Sequence, residues 1–481
     1  MAPRSLTRRQ FAKGLAGLGA AALLPPSLAL GRGSERAAWA VGYAGVTRDL
    51  APVPLKVHGR FPDACCGRLL RNGPALFERA GQRYTHWFDP DGMIQEFTIG
   101  SDGISHRGHF VRTAKFEREE AAGRFLFNGA GSRIEGSIPG RNNDTINVAN
   151  TSVYPFNGEL LALWEGGSAH RLDTTTLETL GKAVWDEDLA GVPFSAHPRF
   201  DANGDLWNFG SLPVHGSSAL VLYHIGADGR LRNRAVFQQD HGGYQHDFVL
   251  TPDYLLFLNS SAVAHEGESF VDQFRWEADR PSQLLVFDKQ DLSLVKTIEV
   301  PAAFVFHFGN AWQQGSDLFF TAAQYADAAF MKHGMARLAQ QKVGPYHDET
   351  RLLRYRVDLA AGRVTIDPLM SGVEFPGFDR RFPFAAQPLL GVCDSLLRPD
   401  SVQSGIVQVD PESGDRQVYD YGADVIVEEP LLIPDDSGRP GSGYVLHSYL
   451  DFRRERSGVA VLQSGALNDG PIATAEMDRV L

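Results

Sequence analysis

The sequence predicts an all-β architecture of repeated hairpins, a β-propeller, and three observations point there. Fifty glycines and 27 prolines are spread along the 481 residues and not gathered in one tract, which requires many turns between short elements. From about residue 155 one unit recurs: an apolar-alternating strand, a turn of Asp, Gly or other polar residues, and a second alternating strand. Several leading strands end at an aspartate, as in Val286-Phe287-Asp288, Tyr355-Arg356-Val357-Asp358 and Val407-Gln408-Val409-Asp410, whose carboxylate accepts hydrogen bonds from the turn that follows. The hairpins fall at 160–180, 219–237, 283–300, 351–369, 404–421 and 443–463. Long, uneven intervals suit propeller blades, although a β-sandwich satisfies the same pattern.

In chain order, residues 1–40 read as a targeting segment and linker, and 41–481 as the folded body. Ser5-Leu6-Thr7-Arg8-Arg9-Gln10-Phe11-Ala12-Lys13 precedes an apolar run at 15–24 and a small-residue cleavage site at Ser27-Leu28-Ala29, the grammar of a twin-arginine export signal. A periplasmic or secreted protein, exported already folded, is the expectation. The run is short for a membrane span, and no later run is long enough for one. Among the insertions between hairpins, 322–343 predicts the one helix of the body, being rich in strong helix formers and poor in β-branched residues. The polar and aromatic stretch 262–280 predicts a loop. Together these would form a lid over one face.

A net charge of −12 and the lack of any basic run beyond the N-terminus argue against nucleic-acid and anionic-membrane partners and favour a neutral or apolar small molecule. Cys65, Cys66 and Cys393 are an odd set with no zinc spacing, and read as structural.

Three of the fifteen histidines share one local grammar, each against a strand-like segment: Ala196-His197-Pro198, Gln245-His246-Asp247-Phe248 and Phe306-His307-Phe308-Gly309-Asn310. Carried on separate blades, such side chains can converge on a propeller axis, where neutral imidazoles would bind a divalent metal with positions left open. Each taken alone is more often a satisfied core histidine. The others, His58, His86, His106, His109, His170, His215, His224, His241, His265, His333 and His347, read as structural residues of loops and polar turns.

Gly67-Arg68-Leu69-Leu70-Arg71-Asn72-Gly73-Pro74, then Tyr84-Thr85-His86-Trp87-Phe88-Asp89-Pro90-Asp91-Gly92-Met93-Ile94, Phe110-Val111-Arg112-Thr113, Ala149-Asn150-Thr151 and Leu163-Trp164-Glu165-Gly166-Gly167 follow one another in order. With the three histidine segments, Glu374-Phe375-Pro376, Glu429-Pro430 and Gly443-Tyr444-Val445-Leu446, the chain resembles the carotenoid cleavage oxygenases, the retinal pigment epithelial membrane protein-like family, from about residue 45 to its last residue. Pro90 stands where the family usually has Gly. The resemblance implies a seven-bladed propeller capped by loops and short helices. It also implies an axial non-haem Fe(II) on four histidines, and an O2-dependent dioxygenase that cleaves a C=C bond into carbonyl products. His197, His246 and His307 match three of the ligands. Glu165, Glu374 and Glu429 match glutamates that accept hydrogen bonds from ligating imidazoles. The fourth histidine of the family follows a Gly-Pro-Ile-Ala motif, here Gly470–Ala473. The sequence stops at Leu481, where that segment should begin, so the last strand segment is expected to be missing. His447, on the preceding strand, is set aside as a substitute because family members vary there.

The implied substrates are an apolar alkene, carotenoid or apocarotenoid, and O2, with peripheral membrane contact for uptake as a further expectation. Trp164, Phe304 and Phe306 are candidates for the tunnel wall. Stilbene-cleaving branches of the family engage a phenol with a Lys and a Tyr, and Lys115 could serve so, though it reads equally as a surface lysine. Two rival classes are a propeller that binds an apolar ligand without chemistry and a calcium-dependent propeller hydrolase, which would need axial carboxylates.

Overall fold

The computed structural model describes residues 37–214, 217–342, 350–394 and 403–481. The export signal and cleavage site lie outside the described residues, as do His215 and His347. The folded body is already under way at the 3-10 turn Ala38–Tyr43, slightly ahead of the expected boundary at 41.

Seven antiparallel sheets make the blades of a propeller. Blade 1 is Leu50–Pro54, Gly67–Leu76, Asp91–Gly100 and Gly103–Phe110; blade 2 runs from Ser152–Phe156 to Thr179–Lys182; blade 3 from Arg199–Phe200 to Leu231–Gln239. Blade 4 runs from Val249–Leu250 to Leu294–Val300, blade 5 from Phe304–Gln314 to Arg363–Ser371, and blade 6 from Val373–Gly377 to Arg416–Asp420. Blade 7 takes Val425–Val427, Leu431–Pro434, Gly443–Asp451, Arg456–Gln463 and Ala473–Met477 from late in the sequence. Its outermost strand, Lys56–Gly59, comes from the beginning, with Lys56 opposite Glu476 and Gly59 opposite Ala473. This pairing locks the ring shut. Every hairpin expected from the sequence is present within these sheets.

The core lies between the blades. Val249, Leu256 and Val286 of blade 4 pack on Val305, Phe308 and Phe320 of blade 5. Leu69 and Phe97 of blade 1 pack on Val459, Val461 and Ala475 of blade 7. Alternation puts one face of each middle strand into one such seam and the other face into the next, so in strands such as Tyr254–Asn259 and Arg456–Gln463 both faces are buried.

Over one end lies a cap, where two expectations need correction. Residues 322–343 are not one helix: Asp317–Tyr325 is a strand of blade 5, and only Phe330–Gly334, a π-turn, and Met335–Ala339 are helical. Ala322 and Ala323 are wholly buried; their small size fits a close sheet seam, and tertiary packing overrides their helix preference. Residues 262–280 are not a plain loop but a two-stranded ribbon, Ala262–Ala264 with Phe274–Trp276, bridged by a helical turn at Phe270–Gln273. A helix not foreseen, Ala114–Ala122, is capped by Thr113, whose hydroxyl accepts from Phe116 N, and ends at Gly123 with φ 65°. Among the described residues no helix is long and apolar enough to cross a membrane.

Candidate metal centre

His197 sits just before the innermost strand of blade 3, His246 just before that of blade 4, and His307 within that of blade 5. The pairing register of Phe304–Gln314 slips between Val305 and Phe308, and such an irregularity re-aims the side chain it contains. The structure brings the three imidazoles together, with one ring nitrogen of each within 4.8 Å of the others.

Two carboxylates orient the rings. Glu374 Oε2 lies 2.8 Å from His307 Nδ1, and Glu165 Oε2 accepts a hydrogen bond from His246 Nδ1. A carboxylate only accepts, so each Nδ1 carries the proton and each Nε2 lone pair is left free. His197 Nε2 and His246 Nε2 are 2.9 Å apart. Two nitrogens bound at right angles to one ion at about 2.1 Å would be about 3 Å apart, so the donor set fits a divalent transition metal, with positions left open. The family glutamates divide here. Glu165 and Glu374 stand behind ligating imidazoles, whereas Glu429 meets none among the described residues and faces the cavities beside the cluster.

Burial, first of all, and the guanidinium groups of Arg199 and Arg380 hold the His197 imidazole well below its ordinary range, hence neutral. For His307 burial works the same way, but the charge and hydrogen bond of Glu374, with Asp247 and Glu429 behind, outweigh it and raise its range.

Three residues that the sequence did not single out complete the frame. Asp247 Oδ2 accepts from Arg199 Nη2 at 2.5 Å and from Phe308 N at 2.9 Å, and Arg199 donates to Phe308 O at 2.8 Å. One buried carboxylate thereby ties together the three segments that carry the histidines. Tyr244 donates to Glu165 Oε1 at 2.9 Å and stacks on Phe304. The signal for Asp247 and Tyr244 was proximity to His246, which motif matching left unused. Phe375, at φ 54°, gives its N–H to Glu374 Oε2 and lays its ring 4.7 Å from that of His307. Such a backbone conformation costs about 1–3 kcal/mol.

The cluster opens into a cavity of about 920 Å³ beneath the cap, lined among others by Trp164, Phe306, Trp87, Phe270, Phe330 and Met335. That size and lining suit an elongated apolar ligand. Trp164 and Phe306 reach it as expected; Phe304 does not line it and packs behind Tyr244. Lys115 also borders the cavity, but it is no surface lysine: it is 1% exposed and its Nζ lies 2.9 Å from both Asp91 and Glu119. Of the remaining histidines, His58, His106, His109, His170 and His224 lie in strands and not in loops. Alternation gives them partners there: His224 stacks on Trp207 at 3.8 Å and pairs with Asp205. The three cysteines form no disulfide.

Propeller, converging imidazoles and roofed apolar cavity define the class: an oxygenase-type propeller built around a three-histidine cluster that could hold a metal. The retinal pigment epithelial membrane protein family matches residues 44–481, and the chain belongs to this carotenoid cleavage oxygenase family; it is an enzyme of the dioxygenase type. The apocarotenoid-15,15'-oxygenase of Synechocystis is 28% identical over 91% of this chain and 93% of its own length. The isoeugenol monooxygenase of Pseudomonas nitroreducens is 26% identical over 88% and 91%. Among solved structures, the cobalt-substituted Synechocystis apocarotenoid oxygenase superposes with a TM-score of 0.81 at 27% identity, covering 92% of this chain and 96% of that one.

Proposed function

We propose that this chain cleaves a C=C bond of a carotenoid or apocarotenoid with O2 at a ferrous ion held by His197, His246 and His307. The observation that carries the reading is the convergence of three oriented imidazoles on the wall of a large apolar cavity. Bound Fe(II) supplies the activation of O2 that an all-protein site lacks. The chain's own residues do the rest. Glu165 and Glu374 hold the imidazoles in the binding tautomer, Asp247 and Arg199 fix the strands beneath them, and Trp164, Phe306 and the cap aromatics align the alkene and exclude water.

A second reading, cleavage of a phenolic alkene, is favoured by Lys115 on the cavity wall and by the isoeugenol monooxygenase similarity. Iron-loaded protein incubated with an apocarotenal, isoeugenol and a hydroxystilbene separates the readings. Aldehydes identified by mass from the apocarotenal alone support the first, and from the phenols alone the second. Bound iron with no turnover of any of them would reject both. Export is proposed on the arginine pair; cell fractionation with N-terminal sequencing of the mature protein tests it.

A further inference from the structure

We propose that a small chamber on the side of the histidine cluster away from the cap is the passage by which dioxygen reaches the cluster while substrate fills the large cavity. The proposal rests on the oxygenase reading and adds a second route to the same site.

Two chambers meet at the cluster. His246 lines only the large cavity, His197 only the small chamber, and His307, Phe375 and Glu429 wall both. The cap residues Trp87, Phe270 and Met335 border the large cavity alone. The small chamber instead touches Ala311 and Gly377, further along the inner strands of blades 5 and 6, and the turn that follows Gly377. Its volume is about 80 Å³. That holds a diatomic molecule or two to three waters at about 30 Å³ each, and excludes any polyene. Phe308, Phe378 and Phe384 supply the apolar part of its wall, beside the charged Arg199, Asp247, Arg380 and Glu429.

Arg380 and Tyr154 also border the small chamber. Arg380 reaches from the blade 6 turn to lie 5.0 Å over the Tyr154 ring of blade 2. It is exposed and makes no ion pair among the described residues. Arg199, by contrast, is pinned by Asp247 and two backbone carbonyls. A side chain held by one exposed cation–π contact swings aside easily. An elongated substrate over the cluster obstructs the cap side for a second reactant, and a rear passage removes that conflict.

Nitric oxide, a diatomic stand-in for O2, tests the passage by stopped-flow absorbance on Fe(II)-loaded protein whose large cavity is saturated with a C20 saturated isoprenoid alcohol. Gly377 has no positive φ, and a Cβ there would meet nothing nearer than Pro430 O at 3.4 Å, so Gly377→Leu can fill the chamber. The blocked wild type should keep at least about a third of its unblocked association rate, Gly377→Leu should lose at least fivefold, and Arg380→Ala should gain at least twofold. Loss of association in the blocked wild type, or no twofold change in the stated direction in either variant, overturns the passage. If Gly377→Leu does not fold, Arg380→Ala alone decides. A protein that folds but binds no iron overturns the oxygenase reading instead. The passage is then judged on metal-free crystals under xenon pressure, where density in the chamber supports it and a chamber without xenon rejects it.

Discussion

Glu374 and Asp247 act on the metal without touching it, and they should fail in different ways. Glu374→Gln keeps the volume but weakens the grip on His307 Nδ1, so metal affinity should fall about tenfold to a hundredfold with little change in stability; a chelator-competition titration measures it. Asp247→Ala leaves Arg199, 14% exposed, without its counter-charge, which typically costs about 3–5 kcal/mol; urea unfolding of the metal-free protein should show that loss. The histidines and glutamates were legible in the sequence because chemistry restricts the side chains at those points. Asp247 and Tyr244 were not, because their task is fixed by which strands lie beside them, and strand adjacency is not written in local pattern. Glu429 shows the reverse limit: its motif is intact, but among the described residues no imidazole stands before it.

Hairpins were legible because period-two alternation and Asp turns are local signals, whereas the cap was not. The stretch 322–343 has a helical composition throughout, but cross-strand pairing of Ala322 with Phe308 and of Ala323 with Leu352 claims its first part for the sheet. The helix Ala114–Ala122 escaped notice because it has only 9 residues and a mixed face. That helix presents Lys115 and Phe116 to the body, so its stability bears on the cavity wall. Thr113→Ala removes the hydroxyl that accepts from Phe116 N and should cost about 1 kcal/mol in denaturant unfolding. Thr113→Ser should restore it.

The ring as a whole responds to acid. Burial holds His106 of blade 1, His170 of blade 2 and His447 of blade 7 down to about 4. Each is neutral when folded and gains a proton near pH 6.5 when unfolded, so the unfolded chain binds more protons between those values and stability falls as pH drops through that window. Each contributes at most roughly 3 kcal/mol by pH 4. His307, raised by Glu374, and Asp89 and Asp91, raised by burial, act with the opposite sign in metal-free protein, their contributions fading as pH rises, but His197 and His241 are lowered too, so the lowered histidines are the larger set. Urea midpoints should therefore drop steadily from pH 7 to pH 4.5. Closure of the ring has its own weak point: Gly59 sits at φ 80° with Ile472 O only 2.5 Å from where a Cβ would stand, so Gly59→Val should lower stability by about 2 kcal/mol or more, seen as a lower calorimetric Tm. Because Lys56–Gly59 finds its partner only at Ala473–Met477, a chain still emerging from the ribosome is an open crescent with two bare edges. Hundreds of residues must be synthesised before those edges meet, so ring closure comes late, and until then the unpaired edges are open to strands of other chains.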